Sequence, residues 1–219
     1  NFYVSGHPLN NYEPYIFSLT KYNTSNMKNV PQRTEFTLIG MISLVRTRLD
    51  RENNPMAFIE FEDLYGKMEL FAPSEVYSRH SELLKKDSII IVQGINKERF
   101  GGFNDENNKT LFNISSADTL ENAAKNKSIG LKLWVNEEST GSTEQLNQFY
   151  NLLEDNKSTN SNVYIQYTLI NKQLDTKKSY LSENVTFELN NENINKVIEI
   201  FTTSSVRFIL KGELNVSSN

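Results

Sequence analysis

Between Phe58 and Asp63 successive residues alternate between an apolar and a mostly polar face, and after Asp63-Leu64-Tyr65-Gly66 the alternation resumes from Lys67 to Phe71. A period of two on both sides of a short Asp- and Gly-containing turn predicts a β-hairpin, with Gly66 supplying the positive φ of a bulged turn. Ile59, Phe61, Met68 and Leu70 share one face, while Phe58, Glu60, Glu62, Lys67, Glu69 and Phe71 share the other. Two aromatic rings are out of place on a side that meets only water. Upstream, the apolar and β-branched run from Phe36 to Arg46 predicts a long strand, with Gly40 letting it bend. Downstream the pattern predicts a helix from Pro73 to Leu84, with Val76, Tyr77, Leu83 and Leu84 as its apolar stripe. Ser88 to Gln93 reads as a buried strand, Gly94 as a bend, and Thr110 to Ala117 as a further strand.

Three strands, a helix and two strands, with Gly at the bends, is the element order of the five-stranded OB-fold β-barrel. Residues 36–118 are therefore expected to form an OB-fold nucleic-acid-binding domain, and residues 119–127, short and polar, a linker. The period then changes. Strands are expected at Ile129–Val135, Val163–Ile170, Tyr180–Leu189 and Val206–Leu210. Helices are expected at Thr143–Leu153, capped by Ser142 or Thr143, and at Asn191–Phe201. This β-α-β-β-α-β order is that of the ferredoxin-like motif and makes residues 128–219 a small interaction domain, so the fold class of the chain is α+β. Residues 1–35 hold one short amphipathic segment, Tyr12 to Leu19, and read as the tail of a preceding domain.

Charge narrows the chemistry. The 219 residues carry a net charge of -4, with 37% hydrophobic and 23% charged residues. Residues 36–118 hold ten Lys and Arg against thirteen Asp and Glu, and residues 128–219 hold eight against eleven. Neither half has a generally basic surface, so nucleic-acid contact must come from one local face and be weak and salt-sensitive. No Cys is present, which excludes disulfides and thiolate metal sites and fits a reducing compartment. With no membrane-length apolar run and no signal-peptide pattern, a soluble cytoplasmic protein is expected. The opening Asn1 suggests a piece of a longer protein.

The OB reading places candidate contacts on the outer face of the first three strands and in the loops after the first and fourth. Arg46 and Arg48 close the first strand. They either meet phosphates and bases or pair with Glu60, Glu62 or Glu69 across the sheet. Phe58 and Phe71 either stack on bases or pack beneath another domain. Lys67 can neutralise a phosphate and Glu69 can accept from a base amino group. Lys97, Arg99, Phe100 and Phe103 interleave charge and rings in the loop from Asn96 to Lys109. No enzymatic constellation is present. His7 and His80 lie on a turn and a helix without metal-ligand spacing, Gly101-Gly102 lacks the rest of a phosphate-binding loop, and Asp63 suits a hairpin turn.

Ser5-Gly6-His7-Pro8-Leu9, followed by Gly40-Met41-Ile42, Met56-Ala57-Phe58, Glu62-Asp63 with Gly66, and Phe71 to Val76-Tyr77, resembles the C-terminal region of the alpha subunit of bacterial DNA polymerase III, a replicative C-family DNA polymerase. The resemblance covers roughly residues 1 to 118. It implies a non-catalytic fragment of a nucleotidyltransferase acting in DNA replication. Its OB domain would meet single-stranded template DNA, and its C-terminal domain would bind the clamp-loader tau subunit and so other replisome subunits. The family's catalytic aspartates and principal clamp-binding motif lie upstream, so no cofactor is expected here, magnesium belonging to the parent polymerase. The rival readings are an anticodon-binding OB domain of an aminoacyl-tRNA synthetase and an OB-type protein-protein interaction module.

Overall fold

A computed structural model describes residues 7–97, 111–138, 141–156 and 161–214. In chain order the elements are α1 (Glu13–Leu19), β1 (Glu35–Leu49), β2 (Pro55–Asp63), β3 (Gly66–Ala72), α2 (Ser74–His80), β4 (Ile89–Lys97), β5 (Leu111–Asp118), α3 (Leu120–Lys127), β6 (Ser128–Asn136), α4 (Ser142–Asp155), β7 (Asn162–Asn171), β8 (Thr176–Thr186), α5 (Asn191–Phe201) and β9 (Val206–Leu210). They divide into two compact units. One is Leu19–Leu120 with the stretch before Asn11, and the other is Glu121–Asn219 with Asn11–Ser18.

The first unit is a closed barrel of order β1-β2-β3-β5-β4, in which β1 also pairs with β4. With α2 between β3 and β4, this is the OB-fold. Its closure rests on one long strand used twice. Glu35 to Met41 pairs with β4, and Met41 to Leu49 pairs with β2. The register slips between Ile42 and Leu44, so the bulge falls at Ser43, three residues after the Gly that was expected to bend the strand. Gly40 serves close approach instead: a Cβ there would lie 2.5 Å from the Glu62 carbonyl oxygen and 2.6 Å from the Phe61 ring. The inward residues Leu38, Ile42, Ile59, Phe61, Leu70 and Val92 are fully buried, and of these the alternation of the hairpin assigned Ile59, Phe61 and Leu70 to that side.

Part of the stretch before β1 belongs to this core. Met27 and Val30 are buried with it and Tyr22 packs against it. Asp63 fixes that segment, accepting from Thr24 N at 2.7 Å and Thr24 Oγ1 at 2.6 Å while also accepting from Tyr65 N and Gly66 N of the hairpin turn. The helix expected from Pro73 to Leu84 stops at His80. There Leu83 N and Leu84 N both bond to the His80 carbonyl, which turns the chain back toward β4 while keeping Leu84 buried.

In the second unit the strand order in space is β8-β7-β6-β9. The element order β-α-β-β-α-β is present, but β6 and β7 are direct parallel neighbours, so no strand enters between them as the split motif requires. The sheet is mixed, since β8 and β9 run antiparallel to their neighbours. Of residues 119–127, expected as a linker, Leu120–Lys127 form the helix α3. The α4 N-cap is Gly141, without a side-chain cap. β8 begins at Thr176, earlier than expected, because its first turn of sequence is polar and exposed and carries no apolar signal. Residues of α1 pack with this unit: the Ser18 hydroxyl oxygen accepts from Phe208 N at 2.9 Å, Tyr15 donates to Asn191, and the Tyr15 ring lies 5.0 Å from that of Phe208. Burial drives the Tyr15 phenol well above its ordinary range. Asn193 donates to Asn156 Oδ1 at 2.7 Å and to the Glu188 carbonyl, tying the end of α4 to the start of α5.

Gly40→Ala drives a methyl group into backbone and ring atoms that the barrel cannot move independently. It is expected to lower stability by about 2 kcal/mol, read as a drop in the urea midpoint at unchanged slope.

Candidate nucleic-acid interface

The second half of β1 with β2 and β3 presents the outer face. Pairing arranges it in rows across the strands: Arg46, Phe58 and Phe71 in one, and Leu44, Glu60 and Glu69 in the next. Beyond them Glu62 lies opposite Lys67. The Phe58 and Phe71 rings lie 5.1 Å apart at an interplanar angle of 42°, and the Arg48 guanidinium sits 5.7 Å above the Phe58 ring. Both rings are half-buried, so each keeps an accessible surface. A tilted pair at this spacing with a cation over it offers a stacking platform.

Apart from Arg48, the charged side chains on this face are already paired. Arg46 is ion-paired with Glu69. Lys67 lies 3.0 Å from Glu62 and 3.3 Å from Glu60, and Ser43 donates to Glu60 at 2.7 Å. The Ser43 hydroxyl, followed by Lys67, holds the Glu60 carboxyl below the usual carboxylate range. Glu62, followed by Glu60, holds the Lys67 ammonium above its usual range. Glu62 shares the outward parity of its neighbours yet is only 7% exposed. His7 stands over that end of the face, with Nε2 3.7 Å from Glu62 Oε1 and Nδ1 accepting from Leu9 N. The open surface therefore runs from Arg48 to Glu69.

The β1–β2 loop is pre-formed. Asp50 accepts from Glu52 N and Asn54 N and takes the Ser74 hydroxyl at 2.7 Å, and these bonds, that of Ser74 foremost, depress its carboxyl pKa. Lys97 ends β4, exposed. Arg99, Phe100 and Phe103 lie outside the described residues. Of the residues anticipated on the face, the structure brings together Arg46, Arg48, Phe58, Lys67, Glu69 and Phe71. Two contributors escaped notice: Ser43 and Leu44. The bulge at Ser43 shifts the alternation there, so no regular period marks Ser43 and Leu44 as neighbours of the hairpin carboxylates.

Two of the other concavities among the described residues bear on binding. One, of about 470 Å³, lies along the first half of β1, β4 and β5, bordered by Tyr22, Phe36, Gln93 and Ser115. The other, of about 280 Å³ in the second unit, is lined by Leu146, Phe149, Tyr150 and Leu153 of α4 with Tyr167 and Tyr180 of the sheet. Tyr150 and Tyr180 are more than half exposed there. No described helix is long and apolar enough to cross a membrane.

Residues 36–113 match the family described as OB-fold nucleic acid binding domain. The DNA polymerase III subunit alpha of Pseudomonas aeruginosa is 27% identical over 101 residues, covering 46% of this chain and 8% of that protein. The subunit alpha of Buchnera aphidicola is 24% identical over 182 residues, covering 80% of this chain and 15% of that protein. The chain thus spans a small part of these relatives' length. Among solved structures, asparaginyl-tRNA synthetase from Pyrococcus horikoshii is similar over 46% of this chain and 22% of its own, at 17% identity and a TM-score of 0.36.

Ser43→Ala is expected to return the Glu60 carboxyl toward its ordinary pKa. In an NMR titration of the side-chain carboxyl the midpoint moves up, as it also does in Lys67→Met, because the hydroxyl and the ammonium both hold the carboxyl down.

Proposed function

We propose that the chain is a non-catalytic C-terminal portion of a replicative DNA polymerase alpha subunit. In this reading its barrel holds single-stranded template DNA on the β1–β2–β3 face, and its second unit tethers the polymerase to the clamp-loader tau subunit. The observation that carries the first half is the Phe58–Phe71 pair on the open face of an OB-fold, with Arg46 and Arg48 beside it. Rings stack on any base, so the platform is indifferent to sequence, and each stacked base contributes about 1 to 3 kcal/mol. Support for the polymerase assignment comes from the subunit alpha relatives, one of which aligns through both units.

The ion pairs set the character of the binding. A phosphate that approaches Arg46 or Lys67 must displace Glu69, or Glu60 and Glu62, so it gains less than it would from a free cation. Weak holding suits a strand that has to advance at every addition, while the tether keeps the effective concentration high. Lys97, exposed at the end of β4, and Arg99, Phe100 and Phe103, which lie outside the described residues, are proposed as further contacts of the strand. The same committed charges favour a second reading, in which the face meets another protein instead of a polyanion.

Fluorescence anisotropy of labelled single-stranded DNA separates the two. Micromolar binding at low salt is expected, with a log–log salt slope no steeper than about −3 because few cations are free. Phe58→Ala and Phe71→Ala are each expected to weaken it about tenfold. Absence of binding at low salt would favour the protein-facing reading.

For the tether, the α4–β7–β8 groove is the surface assigned to tau. Tyr150→Arg places a charge at its exposed rim, where a structural cost is small. The expected outcome is at least a tenfold loss of affinity for the purified tau subunit in a calorimetric titration, with single-strand binding unchanged.

A further inference from the structure

Beside the rings, the open face carries acceptors. Glu60 and Glu69 lie directly opposite each other, one same-face step along the hairpin from Phe58 and Phe71. That step is about 7 Å, the scale of one nucleobase. Among the described residues each carboxylate has one oxygen engaged. Glu69 Oε2 takes the Arg46 guanidinium, and Glu60 Oε1 takes Ser43 and Lys67. The side chains remain 47% and 39% exposed, so acceptor capacity still faces outward while the partners hold each group in orientation. Arg46, its side chain 57% exposed, keeps N–H donors next to the Glu69 acceptor.

On a surface meant only for phosphates, two carboxylates in mid-face oppose binding. Facing a base edge, they are selective. Cytosine, adenine and guanine each carry an exocyclic amino group, whereas thymine presents O4 and a methyl group where cytosine presents its N4 amino group. A pyrimidine stacked on the Phe58–Phe71 pair turns its edge toward the next row, where a carboxylate accepts and a guanidinium donates side by side. Cytosine answers both, giving N4–H to Glu69 and offering its ring nitrogen and O2 to Arg46. In the same pose thymine sets O4 against the carboxylate, oxygen to oxygen, and its N3–H reaches Glu69 only if the base shifts off that pose.

We infer that Glu69, with Glu60 beside it, selects among bases on this face, favouring those with an exocyclic amino group and placing cytosine above thymine. The inference rests on the strand-binding reading and adds a base preference to a platform that is otherwise indifferent to sequence. It also gives Ser43 and Lys67 a purpose, since they hold Glu60 in place.

The test is anisotropy of labelled oligo(dC) and oligo(dT) of equal length with the full 219-residue chain and with its E69Q and E60Q variants. The two homopolymers differ little in stacking area, so their ratio isolates the edge. Gln keeps the shape of Glu but can turn either a donor or an acceptor outward. The wild-type chain is expected to bind oligo(dC) at least about fivefold more tightly than oligo(dT). E69Q is expected to bring the ratio near one, mainly by a gain on oligo(dT), at an unchanged melting temperature. Equal wild-type affinities, or a ratio that survives in both variants, would overturn the inference and leave strand binding standing. Failure of the wild-type chain to bind either oligomer would overturn the strand-binding reading, and the inference with it.

Discussion

The first unit depends on β1 being shared. A single strand that pairs with β4 through its first half and with β2 through its second closes the sheet and leaves no free edge. To do so it must change partners around Met41 while the Phe61 ring and the Glu62 carbonyl press against it, which is why Gly stands at position 40. The extra residue at Ser43 follows from the same turn of the sheet. Closure also settles orientation: with Ile59, Phe61 and Leu70 sealed inside, Phe58 and Phe71 have to face outward.

That outward face has been neutralised from within. Arg46 and Lys67 are matched by Glu69, Glu60 and Glu62, and Glu62 is folded away under His7. Exposed ion pairs contribute little to stability, so their weight falls on what the surface attracts. In the proposed reading such a face holds a strand by its rings and aligns its charges, where a basic groove would hold by phosphate contacts alone. The acidic balance of residues 36–118 is thereby reconciled with a candidate strand-binding surface.

The second unit follows other rules. Parallel pairing of β6 with β7 requires the crossover through α4, and α4 and α5 are in contact, with Leu131, Leu133, Ile165, Phe149 and Val197 buried in this unit. Asn156 and Asn193 are buried where the helices join, and their mutual hydrogen bonding satisfies groups that would otherwise oppose burial. At the far edge, the side chains of β8 remain exposed and Tyr180 borders an open apolar groove.

Alternation over Phe58–Asp63 and Lys67–Phe71 was enough to specify the hairpin, its inward set and its outward rings, because a period of two leaves a strand only two faces. The order of strands and helices, and with it the OB barrel and the β-α-β-β-α-β succession, was legible for the same local reason. Local pattern was silent wherever a residue's role depends on a distant partner. Met27 and Val30 look like loop residues until the barrel supplies a core for them, and Asp63 looks like a turn residue until Thr24 arrives to share it. Strand order β8-β7-β6-β9 rests on which apolar faces pack together, and chain order does not encode that. Above all, the sequence by itself determined that rings and charges of both signs would lie on one face. Only the tertiary structure decided that Arg46 is committed to Glu69 and Lys67 to Glu60 and Glu62, since ion pairs across strands depend on register and on a bulge that no local period reveals.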